Sequence, residues 1–167
     1  IYCGKILPDW TGREPAWVHD LSSYALYPLP IPHYDLGEEP HDIGEGGRLP
    51  GGGNLVLKRE VFGRVGQFST ELGPQGHNLA GGEDTDFVQR ALAVGERIAY
   101  CPAIVQHHFV EQERLVLSYL LEKSFQRSFS ATRINVGGHK GVPRYLWRKL
   151  ASYGFRALTS LYWPEKR

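Results

Sequence analysis

The chain has 167 residues, 41% hydrophobic and 22% charged, an ordinary globular composition that excludes disorder over its whole length. It holds no run of about 18 apolar residues, so no helix within this sequence is expected to span a membrane. The formal net charge of +1 conceals an asymmetry, because residues 1–110 carry 8 Lys+Arg against 14 Asp+Glu while residues 111–167 carry 11 against 4.

The sequence opens on Ile1 and contains no Met, and residues 1–7 read as a strand already under way, so it is treated as a C-terminal segment. Residues 8–52 are rich in Pro and Gly and lack periodicity, which suggests a binding loop or insertion rather than a packed element. A short strand is expected at 54–57 and a short helix at 58–65, with Gly66 placed for a left-handed C-cap. Residues 69–82 form a second glycine-rich loop. From Asp84 the spacing of Phe87, Val88, Ala91, Leu92 and Val94 is helical, and Gly95 closes the run. "RIAYCPAIVQHHFV" predicts a short strand, a break at Pro102 and a second strand running into His107 and His108. Residues 113–134 predict a longer amphipathic helix, and Pro143 opens a last helix over 143–162. The order is that of an α/β domain over 1–112, followed by a basic helical tail over 113–167. Cys3 and Cys101 match no metal-ligand spacing; both are expected to be small buried apolar residues, with a cytoplasmic location as the default.

The chemistry concentrates in "GGEDTDF", residues 81–87, where Glu83, Asp84 and Asp86 stand between two glycines and an apolar helical run. One acidic side chain suffices to cap a helix, and the helix dipole favours acids in a first turn. Three carboxylates exceed that need, so one of them is free for another task. A carboxylate at a loop-to-helix junction can act as a general base if it lies within hydrogen-bond reach of the proton it removes, and Gly81-Gly82 leaves room for another molecule to approach. His107 and His108, adjacent on a strand, point to opposite faces, so at most one of them binds a given ion. No HExxH, CxxC pair or P-loop is present.

Taken in order, "GGGNLVLKREVFGRVGQF", "LGPQG" and "GGEDTDFVQRALAVGERIAYCPAIVQHH" resemble the C-terminal half of the catalytic domain of family 2 glycosyltransferases. The matching residues are Gly53-Asn54, Arg59, Gly66-Gln67-Phe68, Glu83-Asp84-Thr85-Asp86, Arg90, Gly95, Tyr100, Pro102 and His107. The resemblance covers residues 50–110 well and "CGKILPDW" loosely. It implies a partial GT-A (nucleotide-diphospho-sugar transferase-like) fold with C-terminal helices, and an inverting transfer of a sugar from a nucleotide-sugar donor to an acceptor hydroxyl. Asp84 then takes the place of the base, Glu83 hydrogen-bonds the acceptor or supports the base, and Asp86 caps the helix. Asn54, Gly81, Gly82 and Arg90 fall to substrate binding, and His107 to a divalent cation, Mg²⁺ or Mn²⁺. The family's Asp-x-Asp, which holds most of that cation and the donor, has no counterpart in the first 80 residues. The segment is therefore expected to be inactive by itself. The Gln-x-x-Arg-Trp motif of polymerising members is also absent, which favours transfer of a single sugar in polysaccharide or glycolipid synthesis.

Between Lys123 and Arg156 there are eight basic residues and no acidic one. In the last helix Arg144, Arg148, Ser152 and Arg156 stand four apart, with Leu146, Trp147, Leu150, Ala157, Leu158 and Leu161 over much of the remaining surface. This is the pattern of a helix lying on an anionic membrane surface, through residues 123–163, or of a helix packed on the domain with a solvated basic stripe. A carbohydrate or lipid-linked acceptor and a location at the cytoplasmic face of a membrane suit the first pattern. No nucleic-acid-binding motif accompanies the charge. Two rival readings remain at this level: a metal-dependent hydrolase using the same carboxylates with His77 or His107, and a non-catalytic membrane-associated remnant.

Overall fold

The computed structural model describes residues 1–20, 29–73, 81–136, 142 and 144–162. In chain order the elements are β1 (Tyr2–Asp9), β2 (His41–Asp42), β3 (Leu55–Val56), α1 (Arg59–Val65), α2 (Glu83–Ala93), β4 (Ala99–Phe109), α3 (Leu117–Val136) and α4 (Arg144–Tyr162). Single 3-10 turns lie at Ala16–His19, Gly52–Asn54 and Gln112–Arg114. The architecture is mixed α/β, as the strand and helix periods predict. The chain divides into two units, residues 1–131 and residues 132–167. Pro143 and His77, both singled out in the sequence, lie outside the described residues.

The sheet of the first unit has strand order β2-β4-β1-β3. Its centre is the parallel pair β1 and β4, with β3 antiparallel to β1 on one side and β2 antiparallel to β4 on the other. A parallel pair needs a long crossover, and α1 and α2 fall within it. Helix α2 carries its apolar residues at the spacing that one face requires and divides them between two clusters. Phe87 and Ala91 join Val61 and Val65 of α1, while Val88 joins Cys3, Ile6 and Tyr100 of the sheet and Ile98 just before β4. Phe87 is fully buried, stacked on Phe68 at 4.4 Å and tilted against Phe62 at 5.5 Å. Such a side chain contributes about 1.5–3 kcal/mol by burial alone. Gly66 and Gly95, just past the two helices, both take positive φ.

The strand over 99–109 is continuous, which corrects the expected break at Pro102. The pairing with β1 jumps instead. Cys3 aligns with Tyr100 and Lys5 with Val105, so five residues of β4 answer two of β1 and the strand bulges over 101–104. A proline is tolerated in a bulge because no ladder hydrogen bond is asked of it there. Gly4 accommodates the bulge from the other side, since a Cβ on it would lie 2.0 Å from the Ile104 carbonyl oxygen. The Asn54 side chain closes the gap: its Nδ2 donates to the Lys5 carbonyl at 2.7 Å and to the Ile104 carbonyl at 3.1 Å.

Residues 8–52 also differ from expectation, because the described part of this segment is packed. Tyr34 and Ile43 are buried in the sheet cluster, and Val18 is buried with Val110 and Leu115. The backbone of Tyr34 exchanges two 2.8 Å hydrogen bonds with Ile6, and its hydroxyl donates to the Arg48 carbonyl. The Tyr100 hydroxyl, buried beneath, donates to the Gly37 carbonyl at 3.0 Å and accepts from the Leu36 amide at 3.2 Å. Lys5 is buried and pairs with Glu38 and, at 3.5 Å, with Asp35. The hydrogen bond to Glu38 raises the Lys5 pKa, and the Gly37 amide, followed by the Lys5 charge, holds the Asp35 carboxyl below its usual range. Of the two cysteines, Cys3 is fully buried and Cys101 partly so; both are free thiols, and burial pushes Cys3 up to about 11.

Candidate active site

Helix α2 begins at Glu83 with Gly82 in the N-cap position, and no side chain caps it. Gly82 has φ 110°, in the left-handed region where a side chain is strained. This backbone bend turns the chain directly into the helix and presents Glu83, Asp84 and Asp86 in its first turn. The expected capping role of Asp86 is therefore corrected. Its Oδ2 accepts instead from Arg90 Nε at 2.9 Å, one helical turn along.

Asp84 is the most elaborately held of the three. Its Oδ2 accepts from the Gly52 amide at 2.7 Å, and its Oδ1 accepts from the Thr85 amide at 2.7 Å and from the Thr85 hydroxyl at 3.3 Å. The contact with Gly52 joins the Gly52–Asn54 turn to the first turn of α2, more than thirty residues on. It depends on a run without side chains, for a Cβ on Gly51 would come within 3.3 Å of Asp84 Oδ2. A carboxylate offers about four lone-pair positions. Asp84 therefore retains acceptor capacity on Oδ2, beside Gly52, and its orientation is set before any ligand arrives.

Glu83 lies differently. Its Oε2 is buried and has no hydrogen-bond partner among the described residues. A Cβ on Gly73 would stand 2.9 Å from that oxygen, so Gly73 lies directly against the carboxylate. Helix α3 approaches the same region with polar residues. Ser130 is buried, and its hydroxyl accepts from the Gly81 amide at 3.5 Å. Burial, and next the positive charge of Arg114, lowers the pKa of Lys123, while the negative charge of Glu83 opposes that shift. Beside Gly81 there is space: no described atom comes within 4 Å of where its Cβ would stand.

The structure thus brings together Glu83, Asp84, Gly81 and Gly82 on one loop-to-helix junction, and adds Gly51, Gly52, Ser130 and Lys123, which the sequence reading passed over. The Gly51–Gly53 run was a visible signal for a close backbone approach. Ser130 and Lys123 carried none, because their placement follows from the packing of α3. The other candidates have tasks inside the fold. Asn54 holds the bulge of β4, and the Arg90 guanidinium, besides pairing with Asp86, donates to the Val65 carbonyl at 2.6 Å and the Gln67 carbonyl at 2.8 Å. It ties the end of α1 to α2. His107 is exposed on β4, opposite Leu7, while His108 Nδ1 lies 2.9 Å from the Phe109 carbonyl oxygen. Among the described residues no three His, Cys, Asp or Glu side chains converge.

The chain is similar to the glucosyl-dolichyl phosphate glucuronosyltransferase of Haloferax volcanii, with 26% identity over 128 residues. No family model matches it, and no solved structure matches it significantly. The aligned region is 76% of this chain and 39% of the relative, so the chain spans well under half the length of the curated protein it resembles.

Proposed function

We propose that this chain supplies the acceptor side of an inverting glycosyltransferase of family 2, with a GT-A catalytic domain, that moves a hexosyl-type sugar from a nucleotide-sugar donor to an acceptor hydroxyl. The observation that carries the reading is the Asp84 carboxylate, oriented by three donors at the start of α2 and retaining acceptor capacity beside a loop that has no side chains. That is the geometry a general base needs before its substrate binds.

In this reading the acceptor hydroxyl donates to Asp84 Oδ2. Its oxygen attacks the anomeric carbon as the bond from that carbon to the nucleotide diphosphate breaks, the proton passes to Asp84, and the anomeric configuration inverts. Glu83, whose Oε2 has no described partner, accepts from a second hydroxyl of the acceptor, and the space beside Gly81 that no described atom fills receives the acceptor's ring or chain. We assign the nucleotide and the divalent cation, Mg²⁺ or Mn²⁺, to a donor-binding part of the protein outside this chain, and no step described here passes through the ion. The likeness to a glucuronosyltransferase supports glycosyl transfer in general. That relative is named for a glucosyl-dolichyl phosphate, and a carbohydrate or lipid-linked acceptor at the cytoplasmic face of a membrane is the class assigned here.

The test is Asp84→Asn in the natural full-length protein, assayed for sugar transfer and for donor binding. Turnover should fall about 10²–10⁴-fold, the usual contribution of a positioned base, with the donor Kd unchanged. Turnover within tenfold of wild type would remove Asp84 from the chemistry and the proposal with it.

A further inference from the structure

Two helices of this chain turn apolar surface outward. On α3, Leu117, Leu121, Phe125 and Phe129 follow one another four apart, and each is more than half exposed. The opposite side of the same helix carries Leu120 and Ser130, both buried. Residues spaced by four form a continuous stripe along a helix, and the Phe125 and Phe129 rings stack along it at 6.3 Å. An α-helix of a globular domain normally directs such a stripe into the core; here a buried serine lies on the inner side.

Helix α4 repeats the arrangement independently. At 100° per residue, Leu146, Trp147, Leu150, Tyr153, Ala157 and Leu158 occupy one side. Arg144, Arg148, Lys149, Ser152, Arg156 and Thr159 occupy the other, with Tyr145 and Phe155 among them. Trp147, Leu150, Tyr153 and Leu158 are each more than half exposed. The helix is 19 residues long, about 28 Å, yet no helix among the described residues is long and apolar enough to cross a membrane. The stretch from Lys123 to Arg156 contains no acidic residue.

A second copy of the chain packed on the apolar sides would leave these basic sides facing water, with no partner of opposite charge. A bilayer carrying anionic headgroups satisfies both requirements at once, because the apolar side sinks to the acyl boundary while Arg and Lys reach the headgroups. We propose that α4, and α3 separately, each dock in the plane of an anionic lipid bilayer, the apolar stripe of each helix entering the interface and the basic side of α4 setting the preference for negative charge. The inference rests on burial and charge, and stands or falls apart from the assignment of Asp84.

The experiment is flotation of the 167-residue chain with vesicles of phosphatidylcholine alone or with 30% phosphatidylglycerol, at low and high salt. Trp147 emission is followed in a background where Trp10, Trp17 and Trp163 are Phe. Binding should require the anionic lipid, weaken with salt and shift Trp147 emission to the blue. Arg148→Glu combined with Arg156→Glu should lower partitioning on the order of thirty-fold or more, from about fivefold per basic residue near a charged surface. Leu150→Glu and Phe125→Glu should each lower it while far-UV circular dichroism stays unchanged. Absence of binding to anionic vesicles, or equal binding by the folded variants, would overturn the proposal. So would a stable dimer that Leu150→Glu dissociates, which would assign the apolar side to a second copy.

Discussion

Replacing Asn54 by Ala separates a structural task from a substrate-binding one. The side chain bridges β1 and β4 at the point where their register jumps, through bonds of 2.7 Å to the Lys5 carbonyl and 3.1 Å to the Ile104 carbonyl. The bond to Lys5 is partly buried, so its loss strands an acceptor at a cost of about 1–3 kcal/mol; the bond to Ile104 is exposed, and water replaces most of it. The expected loss is about 2 kcal/mol, or roughly 4–8 °C in Tm for a chain of this size. Asn54→Asp should do worse, because a carboxylate would then face two carbonyl oxygens. Urea denaturation of the 167-residue chain measures both, and transfer assays on the natural full-length protein, well below Tm, should give an unchanged acceptor KM. A loss under about 0.5 kcal/mol with Asp no worse than Ala, or a raised KM in a fully folded variant, would refute the reasoning.

Gly82→Ala should cost about 1–2 kcal/mol by placing a side chain at φ 110°, read from the denaturation midpoint. Gly81→Ala, at ordinary φ and with no described atom near its Cβ position, should leave stability unchanged and raise the acceptor KM; equal stability losses at both positions would contradict the geometry. The Lys5–Asp35 pair should also show in the pH dependence. Asp35 titrates below its unfolded value, so its contribution is present above about pH 4 and is lost as pH falls through the lowered folded value. Lys5 titrates above its unfolded value, so its contribution holds below about pH 10 and fades only as pH rises through the raised one. The stability gap between wild type and Asp35→Asn should accordingly close in acid, and a gap independent of pH would show that the carboxylate charge contributes nothing.

Helix α2 and its apolar side were legible because Phe87, Val88 and Ala91 repeat at the helical period, and period is a local property of a chain. Residues 8–52 concealed their packed positions for the opposite reason. Tyr34, Ile43 and Val18 are single anchors among prolines and glycines, held by partners such as Ile6 and Val110 that lie far away in sequence. The continuity of β4 through Pro102 was likewise hidden, since a bulge is defined by its partner strand rather than by its own residues.

Within the candidate site the division is similar. The amino-acid sequence by itself determined that a cluster of carboxylates opens a helix behind two glycines, and that basic residues collect toward the C-terminal end, since charge and periodicity are read one residue after another. Only the tertiary structure decided what each carboxylate does. Gly52 reaches Asp84 across more than thirty residues, Arg90 claims Asp86, and Glu83 keeps an oxygen without a described partner. It also decided that α3 buries Ser130 and exposes Leu121, Phe125 and Phe129. Periodicity defines two sides of a helix, but which side meets the core depends on what the rest of the chain places against it.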